Sequence, residues 1–133
     1  MSTSITMPAI THVAVTVNDL EASKAWYTKV LGVEPVIDED TGPFRHVVYP
    51  LGGTLLGLHG FPRMTSTEAF DEHRPGLDHI AFGCANRDEL VEWAGHLEAL
   101  GIEHSGIVDA GYGSGLSFRD PDNIALELFA PPG

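Results

Sequence analysis

Two short segments decide the fold of this chain, because Thr11-His12-Val13-Ala14-Val15 and Asp78-His79-Ile80-Ala81-Phe82 follow one pattern. Each places a histidine before a run of β-branched, small or aromatic residues, which is the composition of a short strand. The two histidines are 67 residues apart, and so are Trp26 and Trp93 further along the chain. Self-similarity at a fixed spacing indicates that one structural unit occurs twice in the chain.

A helix is predicted after each of these strands. Asn18 and Asn86 stand at the predicted N-caps, and each is followed three residues later by a glutamate, the position where a capping box carries one. Apolar residues then recur at helical spacing, and Gly32 and Gly101 mark the two helix ends.

Three further strands are predicted after each helix. They occupy about 33–40, 43–51 and 53–60 in the first half, and about 102–109, 114–119 and 123–129 in the second half. The segment from Asp120 to Asn123 reads Asp-Pro-Asp-Asn, a composition typical of a hairpin turn.

The order of these elements predicts an α+β fold in one domain spanning residues 1–133. It contains two βαβββ modules, at about 8–61 and 77–131, joined by a linker at 62–76. Because each module can cover one sheet face with its own helix, the remaining faces can form an eight-stranded, cleft-like mixed sheet.

The charge and the apolar content narrow the possible partners. Seven basic against nineteen acidic residues give a formal net charge of -12, which repels nucleic acid and anionic membranes. The N-terminus has neither the basic start nor the apolar core of a signal peptide, so we expect a cytoplasmic protein. The one cysteine, Cys84, lies in an apolar stretch and is predicted to be a buried thiol.

Four side chains are candidate metal ligands. His12 and His79 are equivalent in the repeat, and His59 aligns with Glu127 at an offset of 68 residues. A single histidine in an apolar strand is more often a core residue, but two pairs of this kind favour a metal site. Imidazole and carboxylate suit Zn, Ni, Mn, Co or Fe, and a mixed set with open positions suits catalysis.

Three stretches resemble the signature segments of the vicinal oxygen chelate superfamily. They are HVAVTVNDLEASKAWYTKVLG at 12–32, GLDHIAF at 76–82 and SFRDPDNIALELF at 117–129. The superfamily includes glyoxalase I, bleomycin-resistance proteins, methylmalonyl-CoA epimerase and extradiol dioxygenases. The resemblance implies a glyoxalase-like fold, a small-molecule substrate and a homodimer, in some members with sites formed across the subunit interface. It also implies a divalent metal held by strands one, four, five and eight, which here carry His12, His59, His79 and Glu127.

The resemblance leaves three functions open. A glyoxalase-like lyase or isomerase would use Glu127 as the base for metal-assisted proton transfer, although glyoxalase I usually has a carboxylate or amide where this chain has His59. An Fe(II) extradiol-type dioxygenase would use His12, His79 and Glu127 as its three ligands. A bleomycin-resistance-like protein would sequester a cationic small molecule, which the acidic composition favours.

Other residues are weaker candidates. Arg45 and Tyr49 share one face of the predicted third strand and are candidates for contact with the substrate, as is Tyr112 in the glycine-rich loop 109–115. The remaining histidines have no ligand-type partner in the other half, which predicts surface positions for them; they are His46, His73, His96 and His104.

Overall fold

The computed structural model describes residues 5–133, and the order of its elements repeats one βαβββ unit. The α+β fold with two such modules is therefore confirmed. The elements are β1 His12–Thr16, α1 Leu20–Leu31, β2 Ile37–Asp40, β3 Arg45–Leu51, β4 Thr54–Gly60, β5 Ile80–Gly83, α2 Arg87–Ala99, β6 His104–Ala110, β7 Gly113–Arg119 and β8 Ala125–Ala130. In this described part of the chain, no helix has the length and apolar character needed to cross a membrane.

The eight strands form two four-stranded sheets, one in each module. Their strand orders are β1-β4-β3-β2 and β5-β8-β7-β6. In each sheet the first and last strands of the module are parallel neighbours, and the other pairs are antiparallel. Both sheets are thus mixed, and the last strand of each module lies inside its sheet.

Each sheet has one face covered by helices and one that we call the open face. Alternate residues of the strands, such as Val47, Leu58, Leu116 and Leu126, are buried on the covered faces. They join the apolar sides of α1 and α2 in one hydrophobic cluster, which also contains the thiol of Cys84. The residues that alternate with these along the strands lie on the open faces, among them His12 and the cross-strand pair of Ala81 and Glu127.

The two modules meet through their helix-bearing sides. The phenol of Tyr27 on α1 donates a hydrogen bond of 2.7 Å to Asp120 in the turn between β7 and β8. Trp26 packs near Phe118, with ring centroids 6.1 Å apart. Because module one contributes its helix to this contact, the open faces of the two sheets are left outside the common core.

The first helix is capped by Asp19 rather than by Asn18. Asp19 accepts a hydrogen bond from the backbone of Ala22, whereas Asn18 donates through its amide to the carboxylate of Asp122. Of the two side chains, only the amide of Asn18 can donate to the carboxylate of Asp122, so the asparagine joins the modules and the aspartate caps the helix. The second predicted cap is confirmed, since Asn86 accepts from the backbone of Glu89.

The segment between the modules lies against the β7–β8 turn. Phe70 donates its backbone N–H to the carbonyl of Asp122 at 2.8 Å. The guanidinium of Arg119 binds both carboxylate oxygens of Glu72, at 3.0 and 2.7 Å. These contacts attach the linker to the second module.

Candidate metal centre

His79 and Glu127 form one half of the candidate centre. Nε2 of His79 lies 4.0 Å from Oε1 of Glu127, and Nδ1 of the same ring donates a hydrogen bond of 2.6 Å to Asp78. That bond places the ring proton on Nδ1 and leaves the lone pair of Nε2 free. Metal bonds of about 2.1 Å to each atom would draw the two side chains slightly closer, so the pair fits a divalent cation.

His12 has the same local arrangement on the first module. Its Nδ1 lies 2.9 Å from the hydroxyl of Thr11, the residue directly before it, as Asp78 stands directly before His79. Both histidines are exposed, and within residues 5–133 each ring makes its hydrogen bond through Nδ1 and not through Nε2. Orientation of the ring through its second nitrogen is the arrangement that metal-binding histidines ordinarily show.

The strand register shows that Gly57, and not His59, is the equivalent of Glu127. Ala14, two residues after His12, pairs with Gly57, whereas Ala81, two residues after His79, pairs with Glu127. The sequence alignment at an offset of 68 was therefore wrong. Its error arises because the second module has three more residues than the first between its strand-one histidine and this position.

His59 lies two residues further along β4, on the same open face. It pairs with Thr16 on β1 and with His46 on β3. Burial and the neighbouring imidazoles of His46 and His12 lower the pKa of His59, which favours a neutral ring. A Cβ at Gly57 would lie 3.8 Å from this ring, so the imidazole borders the space where a longer side chain at 57 would stand.

One chain does not gather the four candidate ligands at a single point. Among residues 5–133, three metal-type donor atoms come within 4.8 Å of one another only at Asp71, Glu72 and His73. There Glu72 is already bound by Arg119, and Asp71 accepts from His73. The structure instead presents two half-sites, one with His79 and Glu127 and the other with His12, on separate sheets.

Arg45 and Tyr49 do not face the open side. They share a face of β3, as their spacing predicts, but that face packs against α1. Tyr49 is 0% exposed, and its hydroxyl donates to the backbone carbonyl of Lys24. Arg45 pairs with Glu21 and Asp38, whose carboxylates raise the pKa of its guanidinium. The sequence groups Arg45 and Tyr49 on one face, and the structure shows that α1 covers that face, because alternation does not say which face of a strand is covered.

Tyr112 does lie on the open side, in the turn between β6 and β7. It is 77% exposed, and its ring stacks on that of Phe129 with centroids 6.2 Å apart and planes inclined by 15°. Gly113 has a φ of 146°, and a Cβ there would overlap the ring of Phe129. A glycine is thus needed at 113 for this stacking.

Sequence reasoning missed the residues around the candidate ligands. The sequence predicts only a surface position for His46, whereas the structure places it beside His59 on the open face, where its Nε2 donates to Glu39 at 2.8 Å. Only cross-strand register brings these three side chains together, and no local signal encodes it. By contrast, the polar residues directly before His12 and His79 were visible in the repeat and could have been recognised as partners of the rings.

Comparison with known proteins gives a consistent result. The family described as Glyoxalase/Bleomycin resistance protein/Dioxygenase superfamily matches residues 9–128. Uncharacterized protein YwkD of Bacillus subtilis (strain 168) is 32% identical over 132 residues, covering 92% of this chain and 97% of that protein. Biphenyl-2,3-diol 1,2-dioxygenase 3 of Rhodococcus globerulus is 31% identical over 134 residues, covering 94% of this chain and 66% of the dioxygenase. The crystal structure of a glyoxylase/bleomycin resistance protein/dioxygenase domain from Frankia sp. EAN1pec has a TM-score of 0.83 and 31% identity, covering 96% of this chain and 94% of that chain.

Proposed function

This chain belongs to the Glyoxalase/Bleomycin resistance protein/Dioxygenase superfamily, and from that premise we propose that it is a metal-dependent, glyoxalase-like enzyme acting on a small substrate that offers two oxygens to the metal. The ligands are His12, His79 and Glu127. The reaction is a proton transfer of the lyase or isomerase type, with Glu127 as the base.

The arrangement around the two histidines carries this proposal. Each ring is held at Nδ1 by the residue before it, which leaves Nε2 free, and Nε2 of His79 faces Glu127. Two imidazoles and one carboxylate satisfy three positions of a divalent ion and leave others for a substrate. Because Gly57 has no side chain at the position equivalent to Glu127, we leave His59 out of the ligand set.

A second copy of the chain would complete the site. The half-site with His12 and the half-site with His79 and Glu127 lie on different sheets, whose open faces are outside the common core. In a dimer with a two-fold axis, module one of each copy can face module two of the other. Two identical sites then form, each with His12 from one copy and the remaining ligands from its partner.

Glu127, Thr11, Asp78 and Gly57 would each have a separate role in the reaction. A bound divalent metal supplies a Lewis acid that lowers the pKa of a carbon next to a chelated oxygen. Glu127 would take the proton from that carbon and return it to the neighbouring carbon, while the hydroxyl proton of the substrate passes from the first oxygen to the second, so that atoms and charge balance. Thr11 and Asp78 keep the two imidazoles oriented, and the space beside Gly57 receives the substrate.

An Fe(II) extradiol-type dioxygenase is the second candidate. Two histidines and one carboxylate form the ligand set that non-haem Fe(II) oxygenases use. Gly57 offers no side chain at the position equivalent to Glu127, so that position stays open to a substrate. The 31% identity to a biphenyl-2,3-diol dioxygenase supports the same possibility. The identity of the bound metal separates the two candidates.

The first test is the metal content of untagged protein purified without a chelator, measured by inductively coupled plasma mass spectrometry. We expect about one divalent ion per chain, because a dimer of two chains would form two sites with one ion in each. His79→Ala should lose that ion with little change in far-UV circular dichroism. His73→Ala is the matched control, because this histidine is exposed and lies in the linker.

The alternatives predict different results. Iron in the wild-type protein would favour the dioxygenase over proton transfer. A protein that holds no metal and takes none up on dialysis would contradict both enzymes and favour a binding protein for a cationic small molecule. Full metal retention in His79→Ala would show that the ligand assignment is wrong.

A further inference from the structure

A cavity of about 180 Å³ lies where the helix-bearing sides of the two modules meet. Module one lines it from the end of α1 and the end of β3, for example with Tyr27. Module two lines it from β5, α2, β7 and β8, including Leu126 and Leu128. These two leucines alternate with Glu127 on β8, so the cavity is on the covered side of the sheet and is separate from the candidate metal centre.

The wall of this cavity is apolar. Leu126 and Leu128 are almost fully buried. The hydroxyl of Tyr27 is already bound to Asp120 and is not free for a ligand. Burial raises the pKa of the Cys84 thiol, which also lines the cavity, so this group stays uncharged at neutral pH. The wall therefore offers a ligand apolar contact and few hydrogen bonds.

Of the lining residues that the structure describes, only Glu89 carries a charge. Its carboxylate accepts a hydrogen bond of 2.8 Å from the backbone N–H of Ala85, just before α2 begins. This carboxylate thus has a partner within the protein, and its negative charge disfavours an anionic ligand.

The cavity is larger than the gaps that a well-packed core leaves. Protein interiors are about as dense as organic crystals, and voids larger than a water molecule are few. An empty apolar space of this size is destabilising, because the atoms around it lack contacts on one side. A cavity of about 150 Å³ with leucine, isoleucine and phenylalanine walls stays dry and binds benzene or xenon. A single ring or a short branched chain therefore fits the space between the modules.

The cavity reaches the surface beside the end of α1. Val33 lines it and is 39% exposed, whereas Val30, three residues earlier, lines it and is 2% exposed. Leu31 and Trp93 are half-buried next to Val30. A small molecule can thus enter past these side chains while the modules stay together.

We propose that this cavity is a binding site for a small, uncharged, apolar molecule that stabilises the association of the two modules. The inference goes beyond the proposed function, because it requires neither a metal nor a second copy of the chain. The ligand would contact Leu126 and Leu128, and so the covered side of the strand that carries Glu127 on its open side. At about ten times its dissociation constant, the ligand should lower the unfolded fraction roughly elevenfold.

Cyclohexane and cyclohexanecarboxylate are suitable probes, because they share one ring and differ in charge. In an amide chemical-shift titration of the wild-type protein, cyclohexane should bind, with the largest shifts at residues 27–33, 82–84 and 126–128. The carboxylate should leave these residues unshifted. Urea unfolding with and without cyclohexane then measures the stabilisation.

Two variants reduce the space in the cavity. Cys84→Leu fills it from the buried wall, and Val33→Phe narrows it from the rim without repacking the core. In each folded variant cyclohexane should bind more weakly by about tenfold or more, because the added side chain occupies the ligand's space. Val36→Phe is the matched control, since Val36 is 61% exposed and lies outside the cavity, so its affinity should equal that of the wild-type protein.

The outcomes separate this inference from the proposed function. No cyclohexane binding to the wild-type protein, or undiminished binding in Val33→Phe, would overturn the cavity site. Equal binding of the carboxylate would contradict an uncharged ligand. Metal content bears on the enzyme alone. A metal-bearing protein that does not bind cyclohexane contradicts only the cavity site, and a metal-free protein that binds it contradicts only the metalloenzyme.

Discussion

At the scale of single residues, the partners of His12 and His79 explain why these two side chains suit a metal site. Asp78 accepts from Nδ1 of His79 at 2.6 Å, so its carboxylate orients the ring and holds a proton on Nδ1. Thr11 provides the same orientation for His12, but without the charge. The two half-sites are thus similar in geometry and unequal in charge.

We expect Asp78→Ala to weaken metal binding by about 10- to 100-fold, the usual effect of removing a carboxylate behind a histidine ligand. The loss has two causes, because the ring can then rotate and the proton is no longer held on Nδ1. Isothermal titration calorimetry with Zn²⁺ or Ni²⁺ on metal-stripped protein measures the effect.

Glu92→Ala provides the control for this measurement. It removes the same charge from an exposed position on α2, away from the half-sites. If both variants lose the same affinity for metal relative to the wild-type protein, the effect of Asp78 comes from its charge alone. Its hydrogen bond to His79 then does not contribute to metal binding.

At the scale of secondary-structure elements, the contact between α1 and the β7–β8 turn joins the modules. Asp120 is 6% exposed and accepts from Tyr27 and from the backbone N–H groups of Asp122 and Ile124. Burial raises the pKa of this carboxyl group, while the hydrogen bonds from Tyr27 and the turn backbone oppose that rise. The turn therefore holds a buried carboxylate that depends on a tyrosine from the other module.

Tyr27→Phe should reduce the free energy of unfolding by about 1.5 to 3 kcal/mol at neutral pH, the cost of a lost hydrogen bond to a charged group. The pKa of Asp120 in the folded protein lies above its ordinary value of 3.8, so folding binds a proton just above that pH. Stability consequently falls as the pH rises from 3.8 through the pKa of the folded carboxyl group. Removal of the tyrosine hydroxyl raises that pKa further, because the hydrogen bond from Tyr27 lowers it. The variant should thus lose more stability at pH 7 than at pH 4.

Urea unfolding of the wild-type protein and of Tyr27→Phe at both pH values tests this prediction. Tyr112→Phe serves as the control, because its hydroxyl is on an exposed side chain outside the contact. An equal loss at pH 4 and pH 7 would mean that Asp120 does not become the charged partner of Tyr27.

At the scale of the whole molecule, the packing of the modules has the largest consequence for function. One hydrophobic cluster contains residues of both modules, and it uses the helix-bearing sides of both sheets. Both open faces then remain available to another chain. A two-fold dimer would cover them and form two sites at once.

Complementation between two inactive variants tests that arrangement. In a mixed dimer of His12→Ala and His79→Ala, one site receives both substitutions and the other receives none. With random pairing about a quarter of the wild-type metal content should return, because half of the dimers are mixed and each has one intact site of two. Metal analysis of the co-expressed variants measures it, and each variant alone provides the baseline.

A single-chain site predicts a different result. Every chain would then carry one substitution in its own ligand set, so mixing would restore nothing. Sedimentation of the wild-type protein as a monomer at micromolar concentration would contradict the dimer directly.

Much of the fold could be read from the sequence. The positions of all ten elements and the α2 cap follow from local periodicity and capping residues, and the repeat identifies His12 and His79 as equivalent. These features are encoded within short stretches of chain, where side-chain alternation and helix termination act between near neighbours. The residue types of the candidate ligands, imidazole and carboxylate, are likewise a property of the sequence alone.

Only the tertiary structure decided the rest, because it depends on contacts between residues far apart in the chain. Strand register replaced His59 with Gly57 as the equivalent of Glu127. Packing of α1 showed that the face shared by Arg45 and Tyr49 is covered. The association of the modules left the candidate ligands in two half-sites, since burial of apolar residues joined the helix-bearing sides of the two sheets.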